Sequence, residues 1–162
     1  MLIRKLFHYG FDNKAYALME NYFSDRSMAV KVGKSMSDNL NITTGVPQGS
    51  ILGPLLFIIY INDLCFDSEL FAILFADDAT LDDTNDSLDK LYSQFNIKFS
   101  KVFHWIEYNK LFINRSKTKF ILISKCKEKP TSISINLSIG YNVEIEVVST
   151  FKLLGVTIDY KL

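Results

Sequence analysis

The sequence is poor in the features that mark several protein classes. It has two cysteines, Cys65 and Cys126, in 162 residues. That is too few for a disulfide framework, and their spacing is not that of a cysteine metal site. A reducing compartment is then the default. Net charge is also missing, because 18 basic residues offset 18 acidic ones. Such neutrality argues against a strong stand-alone nucleic-acid binder, whose affinity would come from many uncompensated lysines and arginines. No apolar run is long enough to cross a bilayer, since the most hydrophobic one, Ile51 to Ile61, is short and contains Gly53 and Pro54. Arg4 and Lys5 interrupt the N-terminus too early for a signal peptide. Internal repeats, low-complexity tracts and linkers are absent as well. The expectation is a soluble intracellular chain, cytoplasmic or nuclear, without membrane contact.

What is present is apolar. Hydrophobic residues make up 48% of the chain and aromatics 14%, enough for one domain with a real core but not for a large multidomain enzyme. Charge is unevenly placed. Asp77, Asp78, Asp82, Asp83, Asp86 and Asp89 form an acidic stretch, and Arg115, Lys117, Lys119, Lys125, Lys127 and Lys129 a basic one. Charge runs are ordinarily solvated faces; the alternative is an acidic metal corner facing a basic phosphate corner.

The stretch around which the rest is arranged is Phe71-Ala72-Ile73-Leu74-Phe75-Ala76-Asp77-Asp78. Six apolar residues in a row read as a strand covered on both faces, ending at a polar turn. Asp is a common turn residue, so a hairpin turn accounts for the pair by itself. Adjacent carboxylates also repel one another unless a cation lies between them. Two divalent ions about 3.5–4 Å apart are the usual apparatus for in-line attack on a phosphoryl group.

Taken in order, residues 2–9 read as a helix stopped by Gly10. Asp12 caps a second helix with Ala15, Leu18, Met19, Tyr22 and Phe23 on one face. Ser27 to Gly33 and Asn39 to Thr44 read as two short strands. In Gly45-Val46-Pro47-Gln48-Gly49-Ser50, two glycines flank a proline and one amide just before an apolar helix. This loop either caps that helix, with Ser50 as N-cap, or brings backbone N–H groups and Gln48 to a ligand. The helix, Pro54–Leu64, is apolar nearly all round and is expected beneath a sheet. A long helix from about Asp86 carries Leu88, Leu91, Phe95, Phe99, Val102 and Ile106 at helical period. His104, also on it, is given no chemistry. Phe120–Ile123, Ile133–Leu137 and Val143–Val147 follow as strands, with Gly140 and Asn142 suiting a hairpin. Leu153 to Ile158 is a last strand, in which Gly155 marks a bend or a close backbone approach. Helices with largely antiparallel strands make the fold class α+β.

Gly45-Val-Pro-Gln-Gly-Ser-Ile-Leu-Gly-Pro-Leu-Leu-Phe-Ile-Ile-Tyr-Ile-Asn-Asp-Leu64 followed by Leu74-Phe-Ala-Asp-Asp78 resembles the reverse transcriptases of non-LTR (LINE-type) retrotransposons. Asn109-Lys-Leu-Phe-Ile-Asn-Arg-Ser-Lys-Thr-Lys119 looks like the family's next block, and Phe151-Lys-Leu-Leu-Gly-Val-Thr-Ile-Asp159 like the one after it. The resemblance implies a polymerase palm-like α+β fold, mainly antiparallel sheet on helices, with a C-terminal hairpin resembling a primer grip. Residues 1–162 would be the palm core of a reverse transcriptase domain, without fingers or thumb. Asp77 would be the main ligand shared by two Mg²⁺ ions, and Asp78 a weaker one. Gln48 and Gly49 would meet the template-paired incoming nucleotide. Lys117 would lie near the departing pyrophosphate, with Lys119 the lesser candidate. Leu154 and Gly155 would hold the primer end. The implied partners are an RNA template, a DNA primer and deoxynucleoside triphosphates.

The family's site takes three carboxylates, the third on an earlier strand. Here the earlier acidic residues Asp12, Glu20, Asp25 and Asp38 lie on helices or loops. The expectation is therefore an RNA-directed DNA polymerase domain fragment that binds Mg²⁺ weakly and is inactive alone, needing upstream parts of the same element. The other reading is a non-catalytic palm remnant that binds RNA or a protein partner. A further expectation is that the Phe71–Ala76 strand has an open sheet edge and an apolar patch.

Overall fold

The computed structural model describes residues 1–43, 45–46, 49–124, 132–136 and 142–161. Among these, helices alternate with small, mostly antiparallel sheets, an α+β arrangement. Contacts cluster in two compact units, one of residues 1–63 with 75–78, the other of 64–74 with 79–162.

In the first unit, α1 (Leu2–His8) stops short of Gly10, which has φ +86°. Asp12 caps α2 (Asn13–Phe23) as its type predicts, its carboxylate accepting from the Ala15 N–H at 2.8 Å. The predicted apolar face of α2 is only partly covered, and none of its residues is buried. Two strand pairs follow: β1 (Ser27–Met28) with β4 (Leu40–Asn41), and β2 (Lys31–Val32) with β3 (Ser35–Met36).

The apolar helix is α3 (Gly53–Ile61), shorter than the sequence pattern. It buries Leu56 and Ile61 and packs on α1, whose Leu6 is fully buried. Leu55 and Ile58 stay exposed, so α3 is not enclosed all round as its composition predicts. A helix apolar on every side covers only the stripe that its neighbour reaches. Lys5 fixes the pairing. Its Nζ donates to the Tyr60 carbonyl and to Asp63 Oδ1, each at 2.7 Å, capping the C-terminal end of α3 with a cation. Tyr9 Oη accepts from Asn62 Nδ2 at 2.9 Å beside it.

In the second unit, α4 (Leu64–Asp67) and α5 (Leu88–Tyr108) pack together. The period read from the sequence sets the buried face of α5: Phe95, Phe99, Val102 and Trp105 are buried on it. Phe95 and Phe99, one turn apart, stack at 5.7 Å, and Phe120 meets Phe95 edge-on at 5.5 Å. α5 ends in a hydrogen-bonded stop. Lys110 takes the left-handed position at φ +57°, its N–H donating to the Glu107 carbonyl while the Leu111 N–H reaches Ile106.

The sheet beside α5 has the order β7 (Lys119–Phe120), β9 (Asn142–Val147), β8 (Ser132–Asn136). The β8–β9 pairing is antiparallel, from Ser132↔Glu146 to Asn136↔Asn142, as alternation predicts; Leu137 and Gly140 lie outside the described residues. The expected strand 120–123 is regular only at Lys119–Phe120, and it pairs parallel to β9. The last expected strand is a hairpin, β10 (Thr150–Leu153) with β11 (Val156–Asp159).

Tyr92 is the poorest fit in this unit. Its hydroxyl is buried without a hydrogen-bond partner among the described residues, and burial pushes its pKa up. A phenol with a raised folded pKa contributes stability that is intact below its unfolded value and lost as pH rises through the folded one. Tyr92→Phe is expected to gain about 1 kcal/mol, the desolvation cost of an orphan hydroxyl. It should also flatten the loss of stability above about pH 10. Urea unfolding at pH 7 and at alkaline pH reads both; equal midpoints for the two proteins would refute it.

Candidate active site

The run Phe71–Phe75 is β5, and Asp78–Asp82 is β6; the two form a two-stranded sheet of their own. Ala76 and Asp77 are therefore the whole turn between them. Phe71, Ile73 and Phe75 are exposed, at 66%, 52% and 60%, while Ala72 and Leu74 between them are partly covered. The strand is covered on one face, not both. An unbroken apolar run does not distinguish the two cases, because the alternation lies in the surroundings and not in the sequence.

Two-residue hairpins favour turns with a left-handed residue at the first central position, where glycine is usual. Here Ala76 holds that position at φ +50°. An L-residue in the left-handed region costs roughly 1–2 kcal/mol. Ala76→Gly is accordingly expected to raise stability by about 1 kcal/mol, read as a higher urea midpoint; a lowered midpoint would show that the turn is not strained. Sequence reading misses this strain, although a two-residue gap between apolar and polar runs is a usable signal.

Asp77 and Asp78 are exposed, and neither carboxylate has a hydrogen bond or ion pair among the described residues. Both are hard oxygen donors, and Mg²⁺ is commonly held by one or two carboxylates while keeping water and substrate phosphates as its other ligands. The pair fits such an ion. Among the described residues there is no group of three or more His, Cys, Asp or Glu able to hold a metal. The rest of the acidic stretch is partly committed to structure. Asp83 accepts from Lys98 Nζ at 2.8 Å and from the Thr84 N–H at 3.1 Å.

The other expected site residues are distributed as follows. Gly49 is in the first unit with Asp77 and Asp78, at φ +78° with open space where a Cβ would stand. Conformation, then, and not a close approach within the chain, is what calls for glycine there. Gln48 lies outside the described residues. The capping reading of the loop holds in part, because Ser50 Oγ accepts from the Gly53 N–H at 3.0 Å, though the N-cap position itself is Leu52. Lys117, Leu154 and Gly155 are in the second unit. Lys117 is exposed, on a turn where Asn114 O accepts from its N–H at 3.1 Å. Lys119 pairs with Glu146. Leu154 and Gly155 form the β10–β11 turn, at φ +48° and +88°, the double left-handed turn that joins tight hairpins. Of the two readings of Gly155, the bend holds, sharpened into a full chain reversal, and the close approach does not, since a Cβ there would meet nothing within 4 Å.

A family model described as reverse transcriptase (RNA-dependent DNA polymerase) matches residues 1–158. Among curated proteins, the chain is similar to three from Drosophila melanogaster. It is 28% identical over 157 residues to the "Probable RNA-directed DNA polymerase from transposon X-element", covering 91% of this chain and 16% of that protein. It is 28% identical over 155 residues to the corresponding protein from transposon BS, covering 91% and 17%. It is 24% identical over 160 residues to the "RNA-directed DNA polymerase from mobile element jockey", covering 94% and 17%. The chain thus spans about a sixth of the length of these relatives. No solved structure matches it significantly. Among the described residues, no helix is long and apolar enough to cross a membrane.

Proposed function

The chain belongs to the reverse transcriptase family, and from that premise we propose that it is the palm core of an RNA-directed DNA polymerase with its reaction centre at the Ala76-Asp77 turn. The observation that carries the reading is the presentation of two unpaired carboxylates, Asp77 and Asp78, at a tight exposed hairpin tip. Asp77 and Asp78 would hold Mg²⁺, Asp77 as principal ligand and Asp78 as a weaker one. Bound there, the ions supply activation of a primer 3′-hydroxyl and stabilisation of the departing pyrophosphate.

The chain's own groups do the rest. Gln48 and Gly49 bind the incoming nucleotide. Lys117 offers a positive charge, or a proton, to the leaving group; its exposed ammonium suits either role. The β10–β11 turn, Leu154-Gly155, orients the primer end. RNA template, DNA primer and deoxynucleoside triphosphates are the ligands this reading requires. Because the described residues contain no third metal-binding side chain near the pair, the isolated chain is read as binding Mg²⁺ weakly and not polymerising alone. The same observation favours the second reading, a non-catalytic palm remnant binding RNA or a protein.

The test is Mg²⁺-dependent extension of a DNA primer on an RNA template. The expected result is no extension above the Asp77→Asn/Asp78→Asn background for the chain alone. Extension is expected once a relative's upstream strand, with its carboxylate, is joined to it. Extension by the chain alone would overturn the inactivity. Failure of the joined protein would favour the remnant.

A further inference from the structure

From Tyr108 to Lys127 the sequence carries no carboxylate. Within that stretch, Lys110, Arg115 and Lys117 are exposed and have no ion pair among the described residues. Between them stands Phe112, 95% exposed. A nearly bare aromatic ring beside unpaired cations is the combination used for single-stranded nucleic acid, with a base stacked on the ring and phosphates on the cations.

The backbone that carries this ring is held at both ends. On one side, the stop of α5 fixes Lys110 and Leu111, and Asn109 is buried with its Nδ2 donating to the Trp105 carbonyl at 2.8 Å. On the other, the Asn114 carbonyl accepts from the Lys117 and Thr118 N–H groups at 3.1 and 3.0 Å and from Thr118 Oγ1 at 2.9 Å. Asn114 Oδ1 accepts from Ser116 Oγ at 2.8 Å. Leu111 and Ile113, on either side of the ring, are half-buried. Phe112 is thereby held out on an anchored loop, so little conformational entropy remains to be lost when a base stacks on it.

We propose that the Asn109–Thr118 loop is a contact site for single-stranded nucleic acid. Phe112 stacks one base, and Lys110 and Arg115 neutralise the neighbouring phosphates. The choice of ligand rests on the reading of the chain as a nucleic-acid enzyme; the site itself is separate in sequence from Asp77 and Asp78 and needs neither metal nor nucleotide. With few cations and no net charge on the chain, stacking supplies most of the affinity and the salt dependence is shallow.

The experiment is fluorescence anisotropy of the purified chain with labelled single-stranded RNA and DNA oligonucleotides, without Mg²⁺, at several salt concentrations. Phe112→Ala is expected to weaken binding roughly 5- to 100-fold with an unchanged salt slope. Phe112→Trp should retain it. Arg115→Ala should reduce the slope by about 0.7, the share of a single neutralised phosphate on one strand. Phe112 is exposed, so its truncation should leave the urea midpoint in place, and an unchanged midpoint confirms that the fold is intact. Equal weakening with RNA and DNA identifies the base as the group recognised; weakening with RNA alone still supports the site and adds the 2′-hydroxyl. Undetectable binding by the wild-type chain, or wild-type binding by Phe112→Ala, overturns the proposal. So does an effect of Phe112→Ala on self-association alone. Stacking without any extension by the joined protein would sink the polymerase reading and leave this site standing; extension with no effect of Phe112→Ala on binding would do the reverse.

Discussion

Asp77→Asn is expected to cut Mg²⁺-dependent extension about a thousand-fold in the joined, extension-competent protein. Charge sets the size of the loss. A cation at the turn would be held by the Asp77 and Asp78 carboxylates, and replacing one by an amide keeps its shape but removes a full negative charge. If Lewis-acid stabilisation of the transition state is worth several kcal/mol, losing the principal ligand forfeits about 4 of them, and each 1.36 kcal/mol is tenfold in rate. Asp78→Asn is expected to cost less, about tenfold, because a peripheral ligand of a hydrated ion is partly replaced by water. Both residues are exposed and have no partners among the described residues. Neither substitution should therefore disturb folding, and the urea midpoint is the control. Equal losses for the two variants would refute the ranking of the ligands. A loss of less than tenfold for Asp77→Asn would refute its role as the main one.

The second large effect concerns the core. Trp105→Ala is expected to destabilise the second unit by about 3–5 kcal/mol, the usual cost of removing a large buried aromatic. Trp105 is 7% exposed on the buried face of α5, one turn from Val102 and two turns from Phe99. Its carbonyl also receives Asn109 Nδ2, so the indole and the helix stop are fixed together. Because contacts cluster in two units, unfolding should be followed by a probe within α5 as well as by overall ellipticity. A shift of less than 1 kcal/mol in the α5 transition would mean that the helix does not organise this unit.

Much of this fold is legible in the amino-acid sequence, though unevenly. The period of Leu88, Leu91, Phe95, Phe99, Val102 and Ile106 indicates α5 and the face it buries, because helical spacing and burial are one physical fact. Asp12 indicates a cap, and the alternation of Ile133, Ile135 and Val143, Ile145 indicates a paired hairpin. Legibility fails where composition does not determine surroundings. Phe71–Ala76 and Pro54–Ile61 are both almost wholly apolar, and such runs cannot say which side meets a neighbour. Ala76 and Lys110 adopt left-handed backbone that glycine would have announced. The Leu154-Gly155 turn is obscured in the same way, since its first residue is a leucine. At the candidate site, Asp77 and Asp78 stand out through the family's motifs; Asp77 lies in the turn after β5 and Asp78 opens β6. The bare ring of Phe112 carries no signal in the sequence, since exposure is not a residue type.

The Lys5 bridge bears on how this chain can be cut or fused. Its ammonium group holds the Tyr60 carbonyl and Asp63 across a separation of 55 and 58 residues, so the end of α3 is closed by a side chain of α1. A boundary drawn at Asp12, a natural place to begin by helix capping alone, would release that end and uncover the part of α3 that packs on α1. Any expression boundary, tag or split-protein junction therefore has to leave Leu2–His8 in place, a constraint set by residues far along the chain.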